Sequence, residues 1–175
     1  ETVADAAMAR IAGEDWRIFS IGARMEAALE ARGRPSARHF QPPASADGIG
    51  RLAAETLVAL DAALAPGDGV VLIHMRAAPD GRAPQVRPLL PLDPALTRDL
   101  AARPWASRGL PTLTMDPAAL FASLIRNHLF ASVYRAAAEA MATENSARLA
   151  LMQQAERAID ERVSELLFAT RSARQ

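Results

Sequence analysis

Gly48-Ile49-Gly50-Arg51-Leu52-Ala53 has the Gly-x-Gly-x-x-Ala spacing of a dinucleotide-binding turn. In such a turn the glycines let backbone approach a pyrophosphate, and the following helix offers its unpaired N–H groups. The chemistry requires a strand running directly into the turn. Gln41 to Asp47, with prolines at 42 and 43, does not read as one, so the plainer reading is a flexible helix start. The chain has no lysine, which excludes a P-loop, and no Gly-x-Ser-x-Gly elbow for a serine hydrolase. Its three histidines, His39, His74 and His128, fall in an expected loop, an apolar strand and a helix. None has a second histidine or carboxylate at metal-ligand spacing. His74 reads as a hydrogen-bonded core histidine rather than a general base. Asp160, Glu161 and Glu165 read as a solvated helix face, with Arg157 and Arg162 as partners. No catalytic, cofactor or metal site is therefore expected.

The bulk composition narrows the class of protein. Half of the 175 residues are hydrophobic, enough for a real core, and formal net charge is zero. Arginines are scattered and balanced by acids, unlike the concentrated basic face of a nucleic-acid binder, so no nucleic-acid partner is expected. The alanine- and arginine-rich composition looks like the product of a GC-rich genome. Without cysteine there are no disulfides, thiolate metal sites or cysteine nucleophiles. No stretch approaches the ~20 apolar residues that span a bilayer, and the first residues lack the basic start and apolar core of a signal peptide.

The elements that position these residues fall into two kinds. Residues 1–115 predict a small Rossmann-like α/β domain of layered helices and strands. Val3, Ala7 and Ile11 mark a short amphipathic helix, and Trp16 to Ile21 a strand ending at Gly22. Ala23 to Arg32 predicts a helix, Gly33 to Ala46 a loop, and Ile49 to Leu64 a second amphipathic helix. Val70 to Met75 is a continuous apolar run suited to a central strand buried on both faces of a parallel sheet. Pro79-Asp80-Gly81 predicts a hairpin turn into a weaker strand around Gln85 to Leu90. Residues 91–111 read as irregular, and Leu113 to Met115 as a last short strand.

Residues 116–175 predict one long helix. Asp116 is its N-cap, Pro117 its first residue, and no proline or glycine follows. Such a helix would be roughly 90 Å long. An apolar stripe runs through Leu120, Leu124, Ala131, Ala138, Met141, Leu149, Met152, Ile159, Val163 and Leu166, mostly at spacings of three and four. The coiled-coil seam is assigned to Leu124, Met141, Leu149, Met152, Ile159, Val163 and Leu166. No helix of matching length is available within the sequence to cover it, so the chain is expected to self-associate through this stripe.

Tyr134-Arg135-Ala136-Ala137-Ala138-Glu139, then Ala142 to Met152 and finally Ala173-Arg174-Gln175, resemble the C-terminal helix of F-type ATP synthase gamma subunits. Ile21-Gly22 with the helix ending at Gly33 looks like that family's strand, glycine and basic helix. Gln85 with Leu89-Leu90-Pro91 looks like its return strand, and Met115-Asp116-Pro117 like the entry to its long helix. The family's Asp-Arg-Gly-Leu-type strand end, its long N-terminal helix and its acidic, Gly-Ala-ending terminus are absent, as in an internal fragment. Leu149 and Leu151 replace common methionines, and the Pro- and Arg-rich stretch 91–111 departs from the usual loop.

The resemblance implies a non-catalytic central-stalk rotor. It implies alpha, beta and epsilon subunits and the membrane ion-carrying ring as partners, and a peripheral place on the cytoplasmic side of a bacterial inner membrane. It implies that Arg174 and Gln175 hydrogen-bond a loop of the beta subunit. A non-enzymatic adaptor with an α/β head and coiled-coil tail would share the architecture without the Ala-Arg-Leu and Ala-Arg-Gln spacing. A small nucleotide-binding enzyme would need phosphate contacts near Gly48.

Overall fold

A computed structural model describes residues 2–11, 15–109 and 112–174. Helix α1 (Val3–Ile11) begins with a reciprocal cap. The Asp5 N–H donates to Thr2 Oγ1 at 3.2 Å, and the Thr2 N–H donates back to Asp5 Oδ2 at 3.1 Å. Ala4, Ala7 and Ile11 are buried on its inner face. Strand β1 (Phe19–Ile21) leads through Gly22 into helix α2 (Ala23–Glu30). Gly22 has φ 96°, a conformation that a side chain would strain.

Strand β2 (Arg38–Phe40) then pairs parallel to β1, Phe19 opposite Arg38 and Ile21 opposite Phe40. This strand lies inside the stretch expected to be loop. It is only three residues long and too short for alternation to declare itself; burial of Phe40 and its stacking on Phe19 at 6.5 Å hold it.

A 3₁₀ turn at Ala46–Gly48 opens helix α3 (Ile49–Ala63). Its buried residues Ile49, Leu52, Ala53, Thr56 and Ala59 recur at three- and four-residue intervals. Phe40, Leu52 and Ala59 form a buried cluster with Phe19, Ile21 and Ala137 against it, so α3 lies between the β1–β2 pair and the long helix.

Strands β3 (Val70–Ala78) and β4 (Gly81–Leu90) form an antiparallel ribbon through the Pro79-Asp80 turn. This corrects the expectation of a central parallel strand: among the described residues β3 pairs only with β4, and no residue along it is fully buried. The apolar run is spent on two neighbours instead. Val86, opposite Ile73, borders a shallow groove with Ala6 and Arg10 of α1, while His74 on the other face reaches the long helix. Pro84 and Pro88 share one parity of β4, opposite Met75 and Val71.

Two further corrections concern the stretch before the long helix. Pro94–Ala102 is a helix, α4, capped by the Asp93 carboxylate, which accepts from the Ala95 N–H at 2.8 Å. Leu113 to Met115 form no strand: the chain bends at Thr114 and Met115, and all three residues are exposed. Helix α5 (Pro117–Ser172) follows, its N-cap Asp116 accepting from the Ala119 N–H at 3.0 Å. At 56 residues it is about 84 Å long.

Candidate functional site

The residues that could have done chemistry are placed as structural parts. Gly48 closes the 3₁₀ turn that follows the loop 41–45 and Gly50 lies in the first turn of α3, so no strand runs directly into them. A Cβ on Gly48 would come within 2.7 Å of Pro43 Cβ, so close packing against that proline explains this glycine.

His39 belongs to a polar cluster in which Ser20 and His39, the paired middle residues of β1 and β2, meet Glu26 of α2 and Ser36. The Ser20 hydroxyl lies 3.1 Å from His39 Nδ1, and the Ser20 and Ser36 hydroxyls both donate to Glu26 Oε2. Those hydroxyls, Ser20 first, hold the Glu26 carboxyl below the usual carboxylate range. The composition is that of a hydrolase triad but the wiring is not. The Glu26 carboxylate faces the same Nδ1 at 3.6 Å, whereas a relay needs hydroxyl and carboxylate on opposite ring nitrogens. Ser20 is moreover buried. His128 sits half-buried on α5. Among the described residues no group of three His, Asp or Glu side chains is placed to hold a metal.

His74 ties β3 to the long helix. Its Nε2 lies 2.8 Å from Glu139 Oε2, and Arg135 Nε donates to Glu139 Oε1 at 2.8 Å. The Arg135 guanidinium, then the His74 bond, with Arg76 adding positive charge nearby, lower the Glu139 carboxyl to about 2. The Thr143 hydroxyl donates to the Glu139 carbonyl at 2.7 Å. Neither Glu139 nor Arg135 stands out as a site in the sequence. The one signal is an acid four residues after an arginine, one helical turn on, with only alanines between them.

Helix α5 divides into a seated part and a free part. Leu129, Ser132, Val133, Ala136 and Thr143 are buried, and Arg126 donates to Asp61 of α3 at 2.9 Å. Of the assigned seam, Leu124, Leu149, Met152, Ile159, Val163 and Leu166 are exposed, and Met141 is half-buried. At about 100° per residue the seam lies roughly 150° round the helix from the seated face. Arg174 is exposed in the closing turn of the helix, its N–H donating to the Arg171 carbonyl, and Gln175 lies outside the described residues. No helix of the described residues is long and apolar enough to cross a membrane.

A small mixed α/β head grips one long helix, half of which stands free with an exposed apolar stripe, and this is the architecture of a stalk. The chain belongs to the ATP synthase family, whose family model matches residues 1–175. Within it the match is to the F1 gamma group, the central-stalk subunit. No curated protein matches the sequence. Among solved structures, the rotor in a cryo-EM structure of the Euglena gracilis mitochondrial ATP synthase is similar at 16% identity, covering 95% of this chain and 71% of that one, with a TM-score of 0.49.

Proposed function

We propose that the chain is the rotating shaft that couples transmembrane ion flow to ATP synthesis and hydrolysis, with no catalytic site of its own. Residues 1–115 act as the foot, against the epsilon subunit and the membrane ion-carrying ring. Residues 116–175 act as the shaft, turning inside a ring of alternating alpha and beta subunits on the cytoplasmic side of a bacterial inner membrane. The observation that carries this reading is α5 itself. Beyond Thr143, its last buried residue, it continues to Ser172, about 43 Å of helix at the ordinary rise. A lone helix of that length is a lever arm, and its exposed stripe from Leu149 to Leu166 calls for a second helix in coiled-coil pairing.

At the far end Arg174, with Gln175, would engage a loop of the beta subunit. A guanidinium suits that role, because its planar fork can hold a carboxylate through two parallel hydrogen bonds. The deciding experiment is a pull-down of the tagged full-length gene product from its own membranes, with co-purifying proteins identified by mass. Alpha, beta and epsilon subunits in fixed ratio are the expected result. A product that came down alone, or with unrelated soluble proteins, would overturn the rotor reading.

A further inference from the structure

We infer that the His74–Glu139 pair is the torsional lock between head and shaft, the contact through which twist passes from one to the other. The inference rests on the rotor reading and names the residues that would bear its load.

Most of the seat of α5 is apolar and small: Leu129, Val133 and Ala136 are buried, with Ala137 packed against the core cluster. Apolar burial resists separation, but it is non-directional, so it fixes the helix's rotation about its own axis less sharply than a directional contact does. Resistance to rolling needs directional contacts off that axis. Among the described residues two tie α5 to other elements. Arg126–Asp61 is the weaker, since both side chains are about half exposed, at 58% and 44%, and solvent screens the pair.

His74–Glu139 differs on each count. The His74 side chain is 9% exposed, and Glu139 is 23% exposed. Both carboxylate oxygens are engaged, Oε2 by His74 and Oε1 by Arg135, which fixes the carboxylate plane. The His74 Nδ1 is buried without a hydrogen-bond partner among the described residues, so Nε2 is the ring's one directional attachment. On the head side, His74 sits mid-strand in a ribbon paired without interruption from Val71 to Ala78. On the helix side, Glu139 lies one turn before Thr143, where α5 leaves the head, and the Thr143 hydroxyl braces its carbonyl. Twist arriving along the free helix therefore meets this contact first. The two ties are thirteen residues apart, about 20 Å along the axis. They also reach different elements, β3 and α3, so the helix is held at two points around its circumference.

The test uses the assembled complex containing the full-length chain. Its rotor stiffness is read from the angular fluctuations of a probe on the head while the shaft is held in the ring, and ATP hydrolysis is measured on the same complexes. His74→Leu and Glu139→Leu should each raise angular variance by about twofold or more, since each removes the hydrogen bond between the two side chains. His74→Gln, whose amide can still donate, should restore the wild-type value. The double variant His74→Leu/Glu139→Leu should be no looser than either single one, because both remove the same tie. A fold defect would instead lower assembly and hydrolysis together, and His74→Gln would not rescue it. Unchanged variance in Glu139→Leu complexes that assemble and hydrolyse ATP normally would overturn the lock, even if His74→Leu failed to assemble. Failure of the wild-type chain to enter an ATP-hydrolysing complex would instead overturn the rotor reading beneath it.

Discussion

Helix α5 is two different helices in one. From Leu129 to Thr143 its identity is set by what it touches: a buried face of Leu129, Ser132, Val133 and Ala136, narrow enough for α3 and β3 to approach closely. From Glu144 to Ser172 nothing among the described residues covers it. There its polar surface is held by short-range pairs, Arg148–Glu144 at 2.7 Å and Arg162–Glu165 at 2.8 Å. Its larger apolar side chains meanwhile remain exposed, mostly on the face turned away from the head. The seated part is stabilised by tertiary packing and the free part by propensity, i to i+4 pairs and whatever partner its stripe takes. One continuous backbone thus carries both an anchor and a lever.

The sharpest way to break the comparison is to make the same cut on both sides. Leu129→Ala, at a site 2% exposed, should lower unfolding stability by about 2–4 kcal/mol in denaturant melts. Leu149→Ala, 56% exposed, should change it by less than about 0.5 kcal/mol in the chain alone. Equal losses would mean the free part is packed in solution. The next largest effect concerns association. Residues 1–175 should self-associate in light scattering, and replacing Met152 and Ile159 by glutamate should return them to monomers with helix content retained by circular dichroism. A clean monomer from the unaltered chain would count against the seam.

The third effect is a pH dependence. The Glu139 carboxyl is lowered from 4.5 to about 2 in the folded state, chiefly by Arg135 and then His74. A depressed carboxyl contributes stability that is present in full above the unfolded value and is lost as pH falls from about 4.5 towards 2. Stability of the unaltered chain should therefore drop more steeply across that window than stability of Glu139→Gln. Asp5, lowered to about 2 by Thr2 and Arg32, titrates in both proteins, so the difference between the curves isolates Glu139. The smallest effect is expected from Arg148→Ala, which removes an exposed pair on the free part and should cost less than about 0.5 kcal/mol.

Much of this was legible in the residues. The long helix announced itself through Asp116-Pro117 and the absence of any later helix breaker, and α3 through its leucine spacing. The same Asp-Pro signal at Asp93-Pro94 opens α4, yet the surrounding prolines and arginines masked it. Strand β2 was hidden because three residues cannot show a period. The nature of the β3 run was hidden for another reason: an apolar stretch looks alike whether it is covered by helices on a parallel sheet or flanked by α1 and α5 as a two-stranded ribbon. The seam is plain as a pattern, whereas the seated face is rich in alanine and carries two hydroxyl residues, Ser132 and Thr143, which periodicity discounts. The His74–Glu139 contact joins residues 65 apart, and nothing local marks either as the other's partner.

The prolines of β4 have a consequence for how the ribbon can grow. Pro84 and Pro88 stand at alternate positions of one parity, where an antiparallel ladder turns its N–H groups away from β3. Along that outer margin two of the donors a new strand would need do not exist. The margin of β3 carries no proline between Val70 and Ala78 and keeps its full set. The ribbon is thus one-sided: closed to strand addition on one flank and receptive on the other. Any further strand, whether from a longer chain or from a stray neighbour during folding, is directed to β3.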